Sequence, residues 1–299
     1  TDPSANSIVV ASSNSNSSNY AMNGDVVSVT INTSEDLQSN AGLSPYGISS
    51  ATIAGQAISA GNISAISSTQ WKVSYTMDGG ESDGAASYAF TMADEAGNTA
   101  TVTSAGSNVV IDNTAPTLSA VTIASNNTND SYAKVGDVIT LSITSTEDLT
   151  AAPTVFLAGR AATVNDVGGS ASDYTATITG NSTDTQGAVA ISIAFTDLTG
   201  NAGTTVTATT NGSSVIYDRA VPTLAAVTVT SNNDNTAYAK QGDIVTLSFT
   251  SSENVQASPT VTIDGNDATV SGSNSTWSAA YTMQSGDTEG DVNFTIDFV

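Results

Sequence analysis

Tyr132-Ala133-Lys134-Val135-Gly136-Asp137, followed at once by Val138-Ile139-Thr140-Leu141-Ser142-Ile143, is the stretch on which the fold turns. Ile139, Leu141 and Ile143 alternate with Thr140 and Ser142, the period-two pattern of a strand with one face on a core and one in water. The six-residue signature before it recurs as Tyr20 to Asp25 and Tyr238 to Asp243, each followed by its own alternating run: Val27, Val29, Ile31 in the first copy and Val245, Leu247, Phe249 in the third. Eleven residues after each glycine stands a carboxylate, Glu35, Glu147 or Glu253. The repeat period is 112 residues, then 106 (136 − 24; 242 − 136). That is too long for a solenoid unit and matches one independent domain. The expected boundaries are residues 1–112, 113–218 and 219–299.

Further punctuation keeps the same register. Asp112-Asn113-Thr114-Ala115-Pro116 and Asp218-Arg219-Ala220-Val221-Pro222 open the second and third copies, and Thr1-Asp2-Pro3 resembles the same joint. Proline fixes the backbone and removes a donor, so each joint reads as stiff and extended. Asx-rich turns (Asn14, Asn16, Asn19; Asn126, Asn127, Asn129; Asn232 to Asn235) precede each signature, and Asn and Asp cap their own backbone in such turns. Asp264-Gly265 marks a tight hairpin. An aromatic recurs at Trp71, Tyr174 and Trp277, always thirteen residues before a glycine (Gly84, Gly187, Gly290). Asp94 to Asn98 and Asp197 to Asn201 repeat the pattern Asp-x-x-Gly-Asn, with a final strand after each. About seven strands per copy, closely spaced turn signals and no helical periodicity predict an all-β chain of three tandem immunoglobulin-like antiparallel sandwiches. The third copy reaches Val299 where the register still calls for the Asp-x-x-Gly-Asn turn and the last strand. The expected reading is a segment of a longer polypeptide; the alternative is a strand donated by a neighbouring chain.

Composition narrows the function. Five Lys and Arg face 28 Asp and Glu, a formal charge of −23. Such a surface repels nucleic acid and anionic lipid and attracts cations. With no Cys and no His, thiol nucleophiles, imidazole bases, catalytic triads and the usual zinc sites are excluded. No apolar run approaches the roughly 18 residues of a membrane span. No secretory signal opens the sequence, which reads as a mature or excised segment. The notable carboxylates recur in every copy, which marks them as structural punctuation and not as a glycosidase pair; the chain is expected to be no enzyme. Trp71 and Trp277 alternate with strand residues and are expected to pack, not to stack on sugars. Nine Asn-x-Ser/Thr sequons are what so Ser- and Thr-rich a chain gives by chance.

The joint at Asp112 to Thr117, the Asp94 to Asn98 and Asp197 to Asn201 turns, and Tyr281-Thr282-Met283-Gln284-Ser285-Gly286-Asp287-Thr288-Glu289-Gly290 resemble the recurrent immunoglobulin-like repeats of bacterial and archaeal cell-surface proteins, including surface-layer proteins and giant adhesins. That resemblance covers essentially the whole chain. It implies an extracellular, cell-surface location and calcium at the joints. Calcium takes six to eight oxygen ligands, and the candidates are Asp94, Asn98, Asp112, Glu35, Asp36, Asp197, Asn201, Asp218, Glu147 and Asp148. At the second joint Arg219 departs from the pattern, and a guanidinium there could take the place of a metal. The expected role is structural: a subunit or segment of a surface layer, sheath or filament, with copies of itself or neighbouring domains as partners, or alternatively the rigid extender of a calcium-dependent adhesin. Repeat 1 diverges from the others, with an extra stretch around Leu43 to Ser49, which favours beads with individual contacts.

Overall fold

A computed structural model describes residues 1–38, 47–104 and 106–298. The chain divides into two compact units, Thr1–Asp218 and Arg219–Val299. The described residues contain no α-helix, only strands and one short 3-10 turn, Ala60–Asn62.

The first unit holds two sandwiches. In the first, strands Ala5–Ser12, Val26–Thr33, Gln70–Thr76 and Ile63–Ser67 form one sheet in that order. Thr99–Ser104, Tyr88–Ala93, Ile48–Ile53 and Gln56–Ala57 form the other. In chain order this is the two-sheet arrangement of an immunoglobulin-like fold, with consecutive strands shared between the sheets. A small third sheet closes one pole: Val110–Ile111 runs parallel to Tyr20–Ala21 and antiparallel to Gly84–Ala85. The second sandwich repeats the plan with Leu118–Ser125, Val138–Ser145, Asp173–Thr179 and Thr163–Asp166 against Arg160–Ala161, Thr154–Leu157 and Ile191–Ala194. Each sandwich has its own core. The extra stretch expected around Leu43 to Ser49 lies largely outside the described residues.

The second unit pairs Leu224–Ser231, Ile244–Ser251, Thr276–Thr282 and Thr269–Ser273 in one sheet, and Asn266–Asp267, Thr260–Ile263 and Phe294–Asp297 in the other. Its core is built on Leu247, Phe249, Ile263 and Trp277. Among the described residues nothing pairs with Tyr238 as Ile216–Tyr217 pairs with Tyr132–Ala133, and Tyr238 is 70% exposed.

The alternating runs do what their period dictates. In Val138–Ser145 the residues Ile139, Leu141, Ile143 and Ser145 are buried and the intervening ones are not. The aromatic at the common register is core in every copy: Trp71, Tyr174 and Trp277 are all buried. Each also satisfies its polar tip on a carbonyl three residues back. Trp71 Nε1 donates to Ser68 (3.4 Å), the Tyr174 hydroxyl to Ala171 (2.9 Å) and Trp277 Nε1 to Asn274 (3.1 Å). An amphipathic ring with one anchored end explains why Trp and Tyr interchange here.

The six-residue signature is a clamp. The glycine has φ +91° in all three copies, a conformation that a side chain disfavours, and its N–H donates across to Met77, Gly180 or Met283. The aspartate that follows accepts from two directions. Asp137 Oδ2 takes the Lys134 N–H and Asn127 Nδ2, both at 2.8 Å. Asp25 does the same with Met22 and Asn14, and Asp243 with Lys240 and Asn233. The hairpin turn also repeats. Asp264-Gly265, Ala54-Gly55 and Ala158-Gly159 have positive φ at both central residues, the two-residue turn that matches strand twist.

One expected strand is largely absent. The segment from Thr204 to Thr207 contributes only a bridge between Val206 and Ile193. The backbone there runs close against Phe195: a Cβ on Gly203 would fall 2.2 Å from that ring.

The clamp is testable. Asp137→Ala leaves the Lys134 and Asn127 donors without their acceptor and is expected to cost about 1–3 kcal/mol in urea unfolding. Asp148→Ala, at an exposed position, should change stability by no more than about 0.5 kcal/mol.

Candidate metal centre

Three of the ten candidate ligands converge. Asp112, Glu147 and Asp197 each bring a carboxylate oxygen to within 4.8 Å of the others. Asp112 follows the pole strand Val110–Ile111, its N–H fixed on the Ala21 carbonyl at 2.9 Å. Glu147 begins the turn after Val138–Ser145. Asp197 heads the Asp-x-x-Gly-Asn turn and is 1% exposed. The cluster therefore lies where the first sandwich hands over to the second.

Hydrogen bonds set the cluster's frame. Asp197 Oδ1 accepts the N–H groups of Gly200 (2.6 Å) and Asn201 (2.8 Å). Asn201 Nδ2 donates to Asp197 Oδ2 at 2.8 Å and to the Asp112 carbonyl at 3.0 Å, tying the turn to the joint. Thr199 Oγ1 donates to Asp112 Oδ2 at 3.3 Å. The turn also reaches the first sandwich's Asx loop: Asn14 Nδ2 donates to the Thr199 carbonyl at 2.8 Å and Asn16 Nδ2 to the Leu198 carbonyl at 3.3 Å. Gly200 has φ +110° and a Cβ there would meet Asn16 and Met22, so the close approach suits glycine.

The electrostatics are one-sided. Burial pushes the Asp112 carboxyl up, the Asp197 and Asp83 charges add to it, and the Thr114 N–H and Thr199 hydroxyl partly offset it. Glu147 is raised by burial and then by Asp112, Asp197 and Asp83. Asp83 is held down by the Thr114 hydroxyl and the Asn113 N–H, so it stays ionised beside them. Two ionised carboxylates at such a separation repel by about 3–4 kcal/mol at an effective dielectric near 20, and by less where solvent reaches them. Protonation or a bound cation relieves that. All donors are oxygen, a set that suits a hard cation such as calcium and not zinc or copper.

The other candidates are placed differently. Asp94 and Asn98 form a closed turn of their own: Asp94 Oδ2 accepts Asn98 Nδ2 at 2.7 Å and Oδ1 accepts the Ala96 and Asn98 N–H groups. The Glu35 carboxylate accepts a long hydrogen bond from Thr1 (3.5 Å). Asp36 and Asp148 are exposed. Among the described residues neither turn forms a second cluster of three carboxylates. Asp218 closes the first unit, its N–H on the Ala133 carbonyl. Asp83 and Thr199 were missed by sequence reasoning. Asp83 has no carboxylate at the matching place in the second copy, where Gln186 stands, and Thr199 sits at a variable position of its turn.

No family model and no curated protein matches the chain. Among solved structures it is similar to an I-band fragment, I67–I69, from titin (11% identity, 99% of this chain and 94% of that one, TM-score 0.40). It is also similar to a calcium-stabilised adhesin with which an Antarctic bacterium binds ice (18%, 99% and 74%, TM-score 0.41). A third likeness is to a four-domain ectodomain fragment of ICAM-5 (14%, 98% and 75%, TM-score 0.34). These likenesses are distant, and the fold assignment rests on the sheet order above. No helix among the described residues is long and apolar enough to cross a membrane.

The raised carboxyls fix the sign of a pH effect. A carboxyl whose folded pKa lies above its unfolded value of about 4 contributes stability when protonated, and that contribution is lost as pH rises through the folded value. Without divalent cations, Glu147→Gln is therefore expected to raise the melting temperature relative to wild type at neutral pH. The gain should vanish below about pH 4. Scanning calorimetry across that range checks it; a loss of stability at neutral pH would contradict the repulsion.

Proposed function

We propose that the chain is a non-enzymatic structural segment of an extracellular cell-surface protein, and that its working element is a joint stiffened by calcium between consecutive immunoglobulin-like sandwiches. The observation that carries this reading is the convergence of Asp112, Glu147 and Asp197 at the handover between sandwiches, where burial and neighbouring carboxylates raise Asp112 and Glu147. Asp112, Glu147 and Asp197 would hold the cation, and Asn201 and Thr199 would keep the carboxylates in place. A cation there neutralises charges contributed by the joint and by two loops of the second sandwich, so binding opposes bending. Asp218 is the corresponding joint residue before Arg219, and under this reading residues 1–112, 113–218 and 219–299 are three domains in series.

Stiffness along the chain is the property an adhesin extender needs, and the joint favours that setting. A subunit of a surface layer, sheath or filament is the second reading. It is favoured by the divergence of repeat 1 from repeats 2 and 3, which individual lateral contacts would require and a pure spacer would not. Both settings agree with the −23 charge and the lack of Cys. Electron microscopy of native material separates them: isolated strings support the extender, a lattice or fibre the assembly.

Calcium at a hundredfold excess over its dissociation constant should stabilise the folded state by about 2.7 kcal/mol, seen as a higher melting temperature that a chelator reverses. Asp197→Asn and Glu147→Gln should each abolish most of that shift, and Asp36→Asn should leave it intact. Equal melting curves with calcium and with chelator would refute the metal reading.

A further inference from the structure

The sequence contains two Asn-Gly pairs, Asn23-Gly24 and Asn211-Gly212. In such a pair the glycine carries no side chain to obstruct attack of its amide nitrogen on the preceding carboxamide. The fold treats the two pairs differently. The Gly24 N–H donates to the Met77 carbonyl at 2.9 Å, and the Asn23 N–H donates to Asn113 Oδ1 at 2.9 Å. That hydrogen bond must break before Gly24 can react. The Gly212 N–H has no acceptor among the described residues, and both Asn211 and Gly212 are exposed.

We propose that Asn211 is a site of spontaneous deamidation, and that the reaction unlatches an edge of the second sandwich. Hydroxide removes the Gly212 amide proton, and the nitrogen attacks Cγ of Asn211. A C–N bond forms, the carboxamide nitrogen leaves as ammonia, and a five-membered succinimide remains. Water then adds to either carbonyl and opens the ring to aspartate or isoaspartate. One water is consumed, one ammonia is released, and nothing is oxidised or reduced.

The consequence follows from what residues 209–213 cover. They lie along the outer edge of Leu118–Ser125. The Val121 N–H donates to Thr210 Oγ1 at 3.0 Å and the Ile123 N–H to Ser213 Oγ at 2.9 Å. The Thr210 N–H returns a bond to the Val121 carbonyl at 2.9 Å. Asn211 Oδ1 accepts the Ser213 N–H at 3.0 Å, and Thr209 Oγ1 donates to the Ser213 carbonyl at 2.8 Å, closing the loop that spaces these hydroxyls. Two strand amides of a sheet edge are thereby satisfied by side chains, not by another strand. Isoaspartate adds a methylene to the main chain between Thr210 and Ser213, so both hydroxyls can no longer meet amides two residues apart.

The test is to incubate the full 299-residue chain in mildly alkaline buffer and map its peptides by mass spectrometry. The Asn211 peptide should gain the mass of an amide-to-acid exchange several times faster than the Asn23 peptide, as a mixture of aspartate and isoaspartate, with a rate that climbs with pH. Equal rates, or faster conversion at Asn23, would overturn the assignment. Hydrogen exchange reads the latch. The Val121 and Ile123 amides should exchange faster in the converted protein, whereas freshly prepared Asn211→Asp, which keeps the Oδ1 acceptor and the ordinary main chain, should keep its protection. Unchanged protection in the converted protein would overturn the unlatching.

Discussion

A backbone amide stranded in a loop must find an acceptor or lose the free energy of a hydrogen bond, and this chain meets that constraint with carboxylates and carboxamides. It has no disulfide, and Arg160 forms an ion pair with Asp184. Order in the loops therefore falls to Asp and Asn. Asp25, Asp137 and Asp243 each gather an amide from three residues back and an asparagine from the preceding turn. Glu81, Asp184 and Asp287 accept an amide three residues back in the same way before the glycine of another loop. The acidity of the chain is thus partly a consequence of how its turns are held.

The same device reaches its limit at the joint. There the turn carboxylate Asp197 is satisfied by its own loop, yet it is brought against Asp112 and Glu147. Capping holds Asp197 in its turn, while burial and then the neighbouring charges raise the Asp112 and Glu147 carboxyls. A site under that tension responds to protons and to cations. Asp94 heads the identical motif and closes on Asn98 as Asp197 closes on Asn201, but among the described residues it joins no cluster of three carboxylates.

Much of the fold was legible before any coordinates. The alternation in Ile139, Leu141 and Ile143, the buried register of Trp71, Tyr174 and Trp277, and the Asp264-Gly265 hairpin all follow from local rules, because strand faces and turn dihedrals are set by neighbours in sequence. The site was legible only in part. Its residue types and their turns were visible, but Glu35, Asp36, Asp94, Asn98 and Asp148 carried the same signals without joining the cluster. The close approach of Gly203 to Phe195, in a segment with no regular strand, was also hidden, since it depends on where that ring lies.

The sequence by itself determined an all-β chain with three copies of one strand-and-turn pattern, without Cys or His. Those are properties of period, spacing and composition. Only the tertiary structure decided which carboxylates meet. Asp112, Glu147 and Asp197 are 35 and 50 residues apart (147 − 112; 197 − 147), on a joint and two separate loops. No local rule connects them; the packing of two sheets and the docking of the Thr199 turn on Asn14 do.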